Sequence, residues 1–264
     1  MREHVSLKKL TTLKIGGIAR YFVSVGSIED LREAVLFVRK KKLPLVVLGG
    51  GSNVLVTDGE IDALVVKIEI KDVLWRANNG RADSVLVISG AGENWDALVA
   101  SAVKKRLWGI ENLSGIPGTV GAAPVQNIGA YGAELKDTLE WVEVLDAKNG
   151  KLRTLSNKEC GFGYRDSVFK RPGGKRFIVI RVALRLKRRG VPNLEYKDLK
   201  SYFYGATDSF FPKGGTRVGE GGESSSFLKA CPPIGRRGDG KSSSRRISKS
   251  LGLWPLPLEK GENP

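Results

Sequence analysis

The most constraining feature of this sequence is a run of nineteen residues without a charged side chain, from Ser114 to Gly132, SGIPGTVGAAPVQNIGAYG. Charged residues make up 27% of the whole chain. The glycines, alanines and prolines of the run leave hardly any side chain to hold a large ligand away from the backbone. A flat ring system with hydrogen-bonding edges can lie against such a surface, but a loop of small residues can also serve for packing alone. The run by itself leaves both interpretations open.

Length and composition exclude several classes of protein. A chain of 264 residues is long enough for one to three small domains and for an enzyme. Its apolar runs, such as LPLVVL, are far shorter than the roughly 18 residues of a membrane-spanning helix, and its N-terminus has no signal-peptide core. We therefore expect a cytoplasmic protein that contacts no membrane. The sequence does not indicate an oligomeric state.

Few side chains are available for metal binding or for histidine chemistry. The two cysteines, Cys160 and Cys231, stand in no ligand spacing, so neither a zinc site nor a disulfide framework is expected and no metal ligand is assigned. We expect Cys160 to pack in the core. His4 is the only histidine, which nearly excludes a Ser-His-Asp triad and an interior imidazole base.

Hydrophobic periodicity predicts an α+β fold in the first half of the chain. Residues 27–41 are expected to form a helix that begins with a capping box of Ser27 and Asp30. The stretch from residue 45 to residue 68 predicts a buried strand, a glycine turn, a second strand, a turn at Asp58-Gly59 and a third strand.

The second half mixes strands and helices in the same way. A strand that ends at Gly90 and a helix from about Asn94 are predicted. A hairpin follows across Asn149-Gly150, the dipeptide that a type I′ turn prefers, and then a last strand over residues 177–186. From about Ser201 the chain is rich in glycine, serine and proline, and we expect it to be poorly ordered.

Two glycine-rich segments resemble phosphate-binding loops. The segment at 235–242, GRRGDGKS, has the spacing of a phosphate loop, but Pro232-Pro233 stands where a buried strand should precede it. We therefore give it no role. The cluster at 49–53, GGGSN, follows a predicted strand and allows backbone amides to approach a pyrophosphate, with Ser52 and Asn53 as further donors. It lacks the third glycine of a dinucleotide fingerprint, so a tight turn is the alternative.

A third segment carries an arginine that suits charge stabilisation. In CGFGYRDSVFK, Arg165 stands between Tyr164 and Asp166 in a loop where an aromatic ring and a carboxylate can hold it. A fixed guanidinium stabilises a carboxylate whose charge grows in a transition state. The alternative is a surface salt bridge.

Taken together, these segments resemble the UDP-N-acetylenolpyruvoylglucosamine reductase family. The similar stretches cover roughly residues 10–190 and are, in order, TTLKIGG, LGGGSNVL, GAGENW, GIENLSGIPGTVGAAPVQNIGAYG, KEC and FGYRDSVFK. The fourth of these is long and highly specific. The resemblance implies an FAD-binding domain of the vanillyl-alcohol-oxidase (PCMH) type followed by a partial substrate-binding domain. We expect a lead-in at 1–15, an FAD domain at 16–187 with subdomains at about 16–68 and 69–187, and a substrate-domain remnant at 188–264.

The resemblance also implies the chemistry. NADPH reduces FAD, and the hydride then passes to the enolpyruvyl group of a UDP-sugar, giving UDP-N-acetylmuramate for peptidoglycan synthesis. With only His4 available, FAD is expected to bind non-covalently. By resemblance Arg165 stabilises the carboxylate intermediate, Ser226 supplies the proton, and the substrate-binding tyrosines are Tyr131, Tyr164 and Tyr196. The predicted cofactor-binding residues are Gly49, Gly50, Gly51, Ser52, Asn53, Gly115, Ile116, Pro117, Gly118, Gly121, Ala122, Gln126, Asn127, Gly129 and Ala130.

The C-terminal segment departs from the family pattern. Ser226 stands in SSSFLKACPP, where Ala230-Cys231 replaces an expected asparagine, and no counterpart of a late glutamate is found. We expect that the chain beyond about Ser201 is truncated or read in a shifted frame. One alternative is therefore an FAD-binding module without turnover. Another is a basic nucleic-acid-binding protein, given the net charge of +16, although the sequence shows no clustered basic segment.

Overall fold

The computed structural model of the chain describes residues 1–77, 83–191 and 193–196. Ser226, Cys231, the phosphate-loop pattern at 235–242 and most of the predicted substrate-domain remnant lie outside the described residues. No helix within the described ranges is both long and apolar enough to cross a membrane.

A four-stranded mixed sheet forms the first half of the molecule. Its elements are β1 (Arg2–Ser6), β2 (Ile18–Val25), α1 (Ile28–Lys41), β3 (Leu45–Leu48) and β4 (Glu60–Ile68). The strand order is β1-β2-β4-β3; β1 is antiparallel to β2, and β4 is parallel to both of its neighbours.

The predicted first helix and its capping box are confirmed. The Ser27 side chain accepts a hydrogen bond from the Asp30 amide at 3.0 Å, and the Asp30 carboxylate accepts from the Ser27 amide at 3.1 Å. The buried face carries Leu31, Ala34, Val35 and Val38. These two bonds satisfy amides that the first helical turn leaves without partners, and so fix where α1 begins.

The prediction of a second of three strands between residues 45 and 68 is wrong. Residues 49–59 contain no strand, and β3 is joined through them to β4, its parallel neighbour. A parallel pair needs a connection that leaves the sheet and returns to the starting end. Ser52 and Asn53 hydrogen-bond to a distant part of the chain, and this fixes the connection away from the sheet.

A five-stranded antiparallel sheet forms the second half. The elements are β5 (Val73–Ala77), β6 (Ser84–Gly90), α2 (Trp95–Lys104), the short pair β7 (Gly129–Ala130) and β8 (Ala133–Glu134), β9 (Leu139–Asp146), β10 (Leu152–Ser156), α3 (Asn157–Cys160) and β11 (Phe177–Lys187). The strand order is β10-β9-β11-β6-β5. Short 3-10 turns lie at Leu7–Leu10, Glu111–Leu113, Val120–Ala122, Pro124–Gln126, Leu135–Asp137 and Val168–Lys170.

The predicted hairpin between β9 and β10 is present, but its turn is not of type I′. Gly150 has a φ of 72°, whereas Asn149 does not adopt positive φ, which a type I′ turn needs at both central residues. The Asp146 carbonyl accepts hydrogen bonds from the amides of both residues, and the Asp146 carboxylate accepts from the Lys148 amide. Asp146 thus organises a longer loop, and the dipeptide does not act alone.

One buried hydrophobic cluster joins the two sheets. It contains Leu31 of α1, Val66 of β4, Val87 of β6, Val142 of β9 and Val182 of β11, all of them fully buried. Cys160 is also fully buried in this cluster, as the sequence predicted. Because the halves share a core, the end of β3 and the neutral run are held at fixed positions next to each other.

Candidate functional site

A cavity of about 290 Å³ lies where the two sheets meet. Three segments form most of its wall: the glycine cluster after β3, the neutral run, and the first residues of β11. The two stretches that the sequence singled out for their bare backbone therefore face one cavity.

The glycine cluster packs directly on the backbone of the neutral run. A Cβ atom at Gly50 would lie 2.9 Å from the Cα of Gly118, closer than carbon atoms normally approach. Gly51 has a φ of 66°, and a Cβ there would lie 2.0 Å from the Leu10 carbonyl oxygen. Both positions need glycine, one for close contact between loops and the other for its backbone conformation as well.

Polar side chains join the same two segments. The Ser52 hydroxyl donates to the Pro117 carbonyl at 3.0 Å, and the Asn53 amide donates to the Gln126 side-chain oxygen at 2.8 Å. Three of the predicted polar ligands thus make hydrogen bonds within the protein. These bonds hold the two walls of the cavity at a fixed separation.

The cavity wall supplies free hydrogen-bond donors. Within the described ranges, the backbone N–H groups of residues 49–53 donate no hydrogen bond, and neither do those of Ile116, Gly118 and Thr119. Of the described residues that line the cavity, only Lys170 and Lys175 are charged. A group of free amides with nearby cations suits an anionic group such as a diphosphate. The donor set therefore fits the pyrophosphate of a dinucleotide cofactor.

Apolar side chains form another part of the lining and suit a ring system. They include Leu48, Ile68, Trp95 and Val179. The Trp95 indole is 1% exposed, and its N–H donates to the Leu113 carbonyl at 2.9 Å, which fixes the ring. Apolar walls combined with a few placed polar groups are typical of cofactor sites.

Helix α2 holds the start of the neutral run. The Asp96 carboxylate accepts hydrogen bonds from the Ser114 hydroxyl at 2.9 Å and from the Gly115 amide at 2.7 Å. Further along, the Gly121 amide donates to the Ala91 carbonyl, and a Cβ at Gly121 would lie 2.4 Å from the Ala91 Cβ. Gly121 is thus needed for packing against the segment between β6 and α2.

The predicted cofactor residues divide into two groups by position. Those that line the cavity are Gly49, Gly50, Gly51, Ser52, Asn53, Ile116, Pro117, Gly118, Gly121, Ala122 and Gln126. Those outside the lining are Gly115, Asn127, Gly129 and Ala130. FAD binding by any individual residue stays a prediction.

Arg165 is held differently from what the sequence suggested. Asp166 pairs with Arg171 at 3.0 Å, and this hydrogen bond is the main cause that lowers the Asp166 pKa. The Arg165 guanidinium instead donates to the Gly129 carbonyl at 2.9 Å. Arg165 has a φ of 53°, an uncommon conformation for a long side chain, so local contacts must hold its loop. Tyr164 is 85% exposed.

Two of the three predicted substrate tyrosines lie together. The rings of Tyr131 and Tyr196 are 5.3 Å apart between centroids and meet edge to face at 82°. Asn112, which is buried, donates to the carbonyls of Tyr131 and Asn193 at 3.0 and 2.9 Å. The chain after β11 is thereby held next to the Tyr131 turn.

Several lining residues were missed by the sequence reasoning. Lys170 was quoted within FGYRDSVFK without a role, and Lys175, Thr119 and Trp95 were not assigned. The Lys170 ammonium also donates to the Arg165 carbonyl at 2.9 Å. Both lysines lie just before β11, but nothing in their local sequence marks them as cavity residues. Among the described residues, no group of three or more His, Cys, Asp or Glu is placed to hold a metal ion.

Comparison with known proteins identifies the family. An FAD binding domain model matches residues 19–156. The UDP-N-acetylenolpyruvoylglucosamine reductase of Pseudomonas aeruginosa is 46% identical over 196 residues, covering 74% of this chain and 57% of that protein. The Bdellovibrio bacteriovorus enzyme is 44% identical over 200 residues with the same coverage. The chain thus spans about 57% of the length of these curated relatives.

Comparison with solved structures supports the same family and the same fold. The UDP-N-acetylenolpyruvylglucosamine reductase of Thermus caldophilus has a TM-score of 0.57 at 34% identity, covering 77% of this chain and 68% of its own. A VAO-type flavoprotein of Myceliophthora thermophila has a TM-score of 0.50 at 20% identity, covering 66% of this chain and 33% of its own, and shows the fold alone. The α+β fold of the vanillyl-alcohol-oxidase type is confirmed. The chain belongs to the UDP-N-acetylenolpyruvoylglucosamine reductase family, and residues 19–156 match the FAD binding domain.

Proposed function

We propose that this chain binds FAD non-covalently in the cavity and uses NADPH to reduce the enolpyruvyl group of UDP-N-acetylglucosamine enolpyruvate, giving UDP-N-acetylmuramate for peptidoglycan synthesis in the cytoplasm. The observation that carries the proposal is the cavity wall, where free backbone amides and two lysines are combined with an apolar floor. The names of the relatives support the substrate.

We infer from the lining which parts of the chain would hold which parts of FAD. The backbone amides of residues 49–53 would donate hydrogen bonds to the diphosphate, and the positive charges of Lys170 and Lys175, which line the same cavity, would attract it. The apolar part of the wall, including Trp95, would take a ring. His4 lies on β1, where its Nδ1 is 3.4 Å from Glu60, and it does not line the cavity. No histidine is therefore available for a covalent flavin bond.

When bound, FAD accepts a hydride from NADPH and supplies it to a carbon–carbon double bond. Arg165 would provide the electrostatic part of the reaction. Within the described residues its guanidinium donates one hydrogen bond, to Gly129, so its other N–H groups remain for a substrate carboxylate. The interaction strengthens as negative charge grows on that carboxylate, so it favours the transition state over the ground state.

The proton and the rest of the substrate pocket are assigned by resemblance only. Ser226, the predicted proton donor, lies outside the described residues. Tyr131 and Tyr196 would contact the sugar nucleotide from the place where their rings meet. The alternative is an FAD-binding module without turnover; in its favour, Ser226 stands in a segment, SSSFLKACPP, that departs from the family pattern.

The proposal is tested with the full chain loaded with FAD, in anaerobic stopped-flow. NADPH should bleach the flavin, and UDP-N-acetylglucosamine enolpyruvate should then restore its absorbance. UDP-N-acetylglucosamine, which lacks the enolpyruvyl group, is the matched control and should restore nothing. Bleaching without restoration by the enolpyruvyl sugar would select the module without turnover. A colourless protein that takes up no FAD would contradict both readings and favour the nucleic-acid alternative.

A further inference from the structure

Asn127 belongs to the neutral run but does not line the cavity. It is 1% exposed and has a φ of 44°. Its amide nitrogen donates to the Glu134 carboxylate at 2.8 Å and to the Gly163 carbonyl at 3.1 Å, and its amide oxygen accepts from the Lys136 backbone at 3.0 Å. A flipped amide would set its oxygen against two other acceptors, so the orientation is determined by the partners.

These bonds reach the loop that carries Arg165. Gly163 and Asp166 close that loop with backbone hydrogen bonds of 3.0 and 3.3 Å in the two directions. The neutral run contacts the loop at Asn127, which donates to the Gly163 carbonyl, and at Gly129, whose carbonyl accepts from the Arg165 guanidinium. A non-glycine residue at positive φ persists only where the surroundings determine it. These contacts contribute to that, together with the bond from the Lys170 ammonium to the Arg165 carbonyl and the Asp166–Arg171 pair.

Glu134 connects the same contacts electrostatically. Its pKa is lowered, mainly by the hydrogen bond from Lys136, then by that from Asn127, with a contribution from the Arg165 charge. Asn127 therefore lies between an ionised carboxylate and the Arg165 loop, and it donates to both.

We propose that Asn127 is a positioning residue for Arg165, holding the guanidinium loop against the neutral run through Gly163 and Glu134, and is not a ligand of FAD. The proposal rests on the role of Arg165 in the proposed function, but the position of the loop is measurable without turnover.

The test uses the full FAD-loaded chain and two variants. Asn127→Gly removes the amide without penalty at positive φ, and Asn127→Asp keeps the shape but sets a carboxylate beside Glu134. Asn157→Ala is the matched control, because Asn157 also donates to two backbone carbonyls, those of Lys136 and Leu139, at 2.7 and 2.8 Å, without contacting the loop. An arginine-specific protease then reports local opening through the rate of cleavage after Arg165. Cleavage after Arg185, within β11, reports global unfolding.

We expect the ratio of cleavage after Arg165 to cleavage after Arg185 to rise about thirtyfold in both Asn127 variants. This corresponds to about 2 kcal/mol, or about two hydrogen bonds. The ratio should stay within about threefold of the parent in Asn157→Ala, and FAD content should be unchanged in all three variants. Flavin reduction by NADPH should keep its rate, while reoxidation by the enolpyruvyl sugar should slow by a similar factor. A residue needed only for folding would not separate these two half-reactions.

Two results would overturn the proposal. One is an unchanged cleavage ratio, which would show that Asn127 does not hold the loop; if FAD is also lost, Asn127 is a cofactor ligand instead. The other is a rise in both cleavages together, which would make it a general stabilising residue. If neither variant folds, hydrogen exchange in the parent decides. The Gly163 and Asp166 amides should be protected from exchange at least about a hundredfold. Protection below about tenfold would contradict a held loop. If Arg165→Ala reoxidises at the parent rate, the proposed function of Arg165 fails, and the cleavage ratio still decides the position of its loop.

Discussion

Replacing Gly50 by valine should weaken FAD binding by separating the two walls of the cavity. A Cβ at this position would lie 2.9 Å from the Gly118 Cα and 3.3 Å from the Gly118 carbonyl carbon. Carbon atoms pack best at about 3.5–4.0 Å, so the loops must move apart by about 0.6–1.1 Å even before the two methyl groups of valine are placed. The obstacle is backbone on both sides, so no side chain can turn away to relieve it.

The magnitude follows from the cost of overpacking. Inserting extra carbon atoms into a closely packed site costs about 1–3 kcal/mol. At about 1.36 kcal/mol per factor of ten, the FAD dissociation constant should rise about 5- to 150-fold if the whole cost falls on the cofactor-bound form. Gly173→Val is the matched control, because a Cβ at Gly173 meets nothing within 4 Å.

The assay is a titration of the apo-chain with FAD, followed by quenching of flavin fluorescence, with thermal unfolding of each apo-chain measured in parallel. The control should bind FAD like the parent. A Gly50→Val chain with the parent dissociation constant would show that the diphosphate does not lie against this contact. An equal loss in Gly173→Val would show that the effect is not specific to the cavity.

Further changes have defined outcomes. Asp96→Ala removes the acceptor of the Gly115 amide and should raise the FAD dissociation constant about fivefold or more in the same titration, with the fold retained by circular dichroism. Arg165→Ala should be bleached by NADPH at the parent rate but reoxidised by the enolpyruvyl sugar about 10²–10³ more slowly in stopped-flow, with partial rescue by lysine. Burial, with a smaller effect of the adjacent Glu159, raises the Cys160 pKa to about 12, so iodoacetamide should label Cys160 only after denaturation, as read by peptide mass spectrometry. The pKa of Glu134 is lowered in the folded state, so the ionised carboxylate stabilises the fold above its ordinary pKa of 4.5, and this stabilisation is lost as the pH falls. The free energy of unfolding of Glu134→Gln, measured in urea, should therefore fall less than that of the parent between about pH 5 and 3.

Local signals predicted the elements that depend on neighbouring residues. The capping box at Ser27 sets the start of α1, and Asn94 caps α2 by accepting from the Ala97 amide at 2.8 Å. The strand predicted at 177–186 is β11, and its long apolar run sufficed for the prediction because most of the strand is buried on both faces. The strand predicted after Gly51 is absent because the conformation of this segment is set by contacts with Pro117 and Gln126, which are more than sixty residues away in sequence.

The site was predictable where it depends on backbone and unpredictable where it depends on contacts between loops. Glycines mark places where two backbone segments approach closely, and the cluster at 49–51 does meet Gly118, at Gly50. The partner of Arg165 could not be predicted, because its neighbour Asp166 is taken by Arg171 and a carbonyl of the neutral run replaces it. The two lysines of the lining were missed because nothing in their local sequence places them at the cavity.

The central claim is that this chain holds FAD non-covalently in the cavity between its sheets. The most direct test is to incubate the purified chain with FAD, remove the excess, and record the absorbance spectrum before and after acid precipitation. The account predicts a flavin band near one FAD per chain, with all of the flavin released into the supernatant by acid. A chain that retains no flavin, or flavin that stays with the precipitated protein, would contradict it.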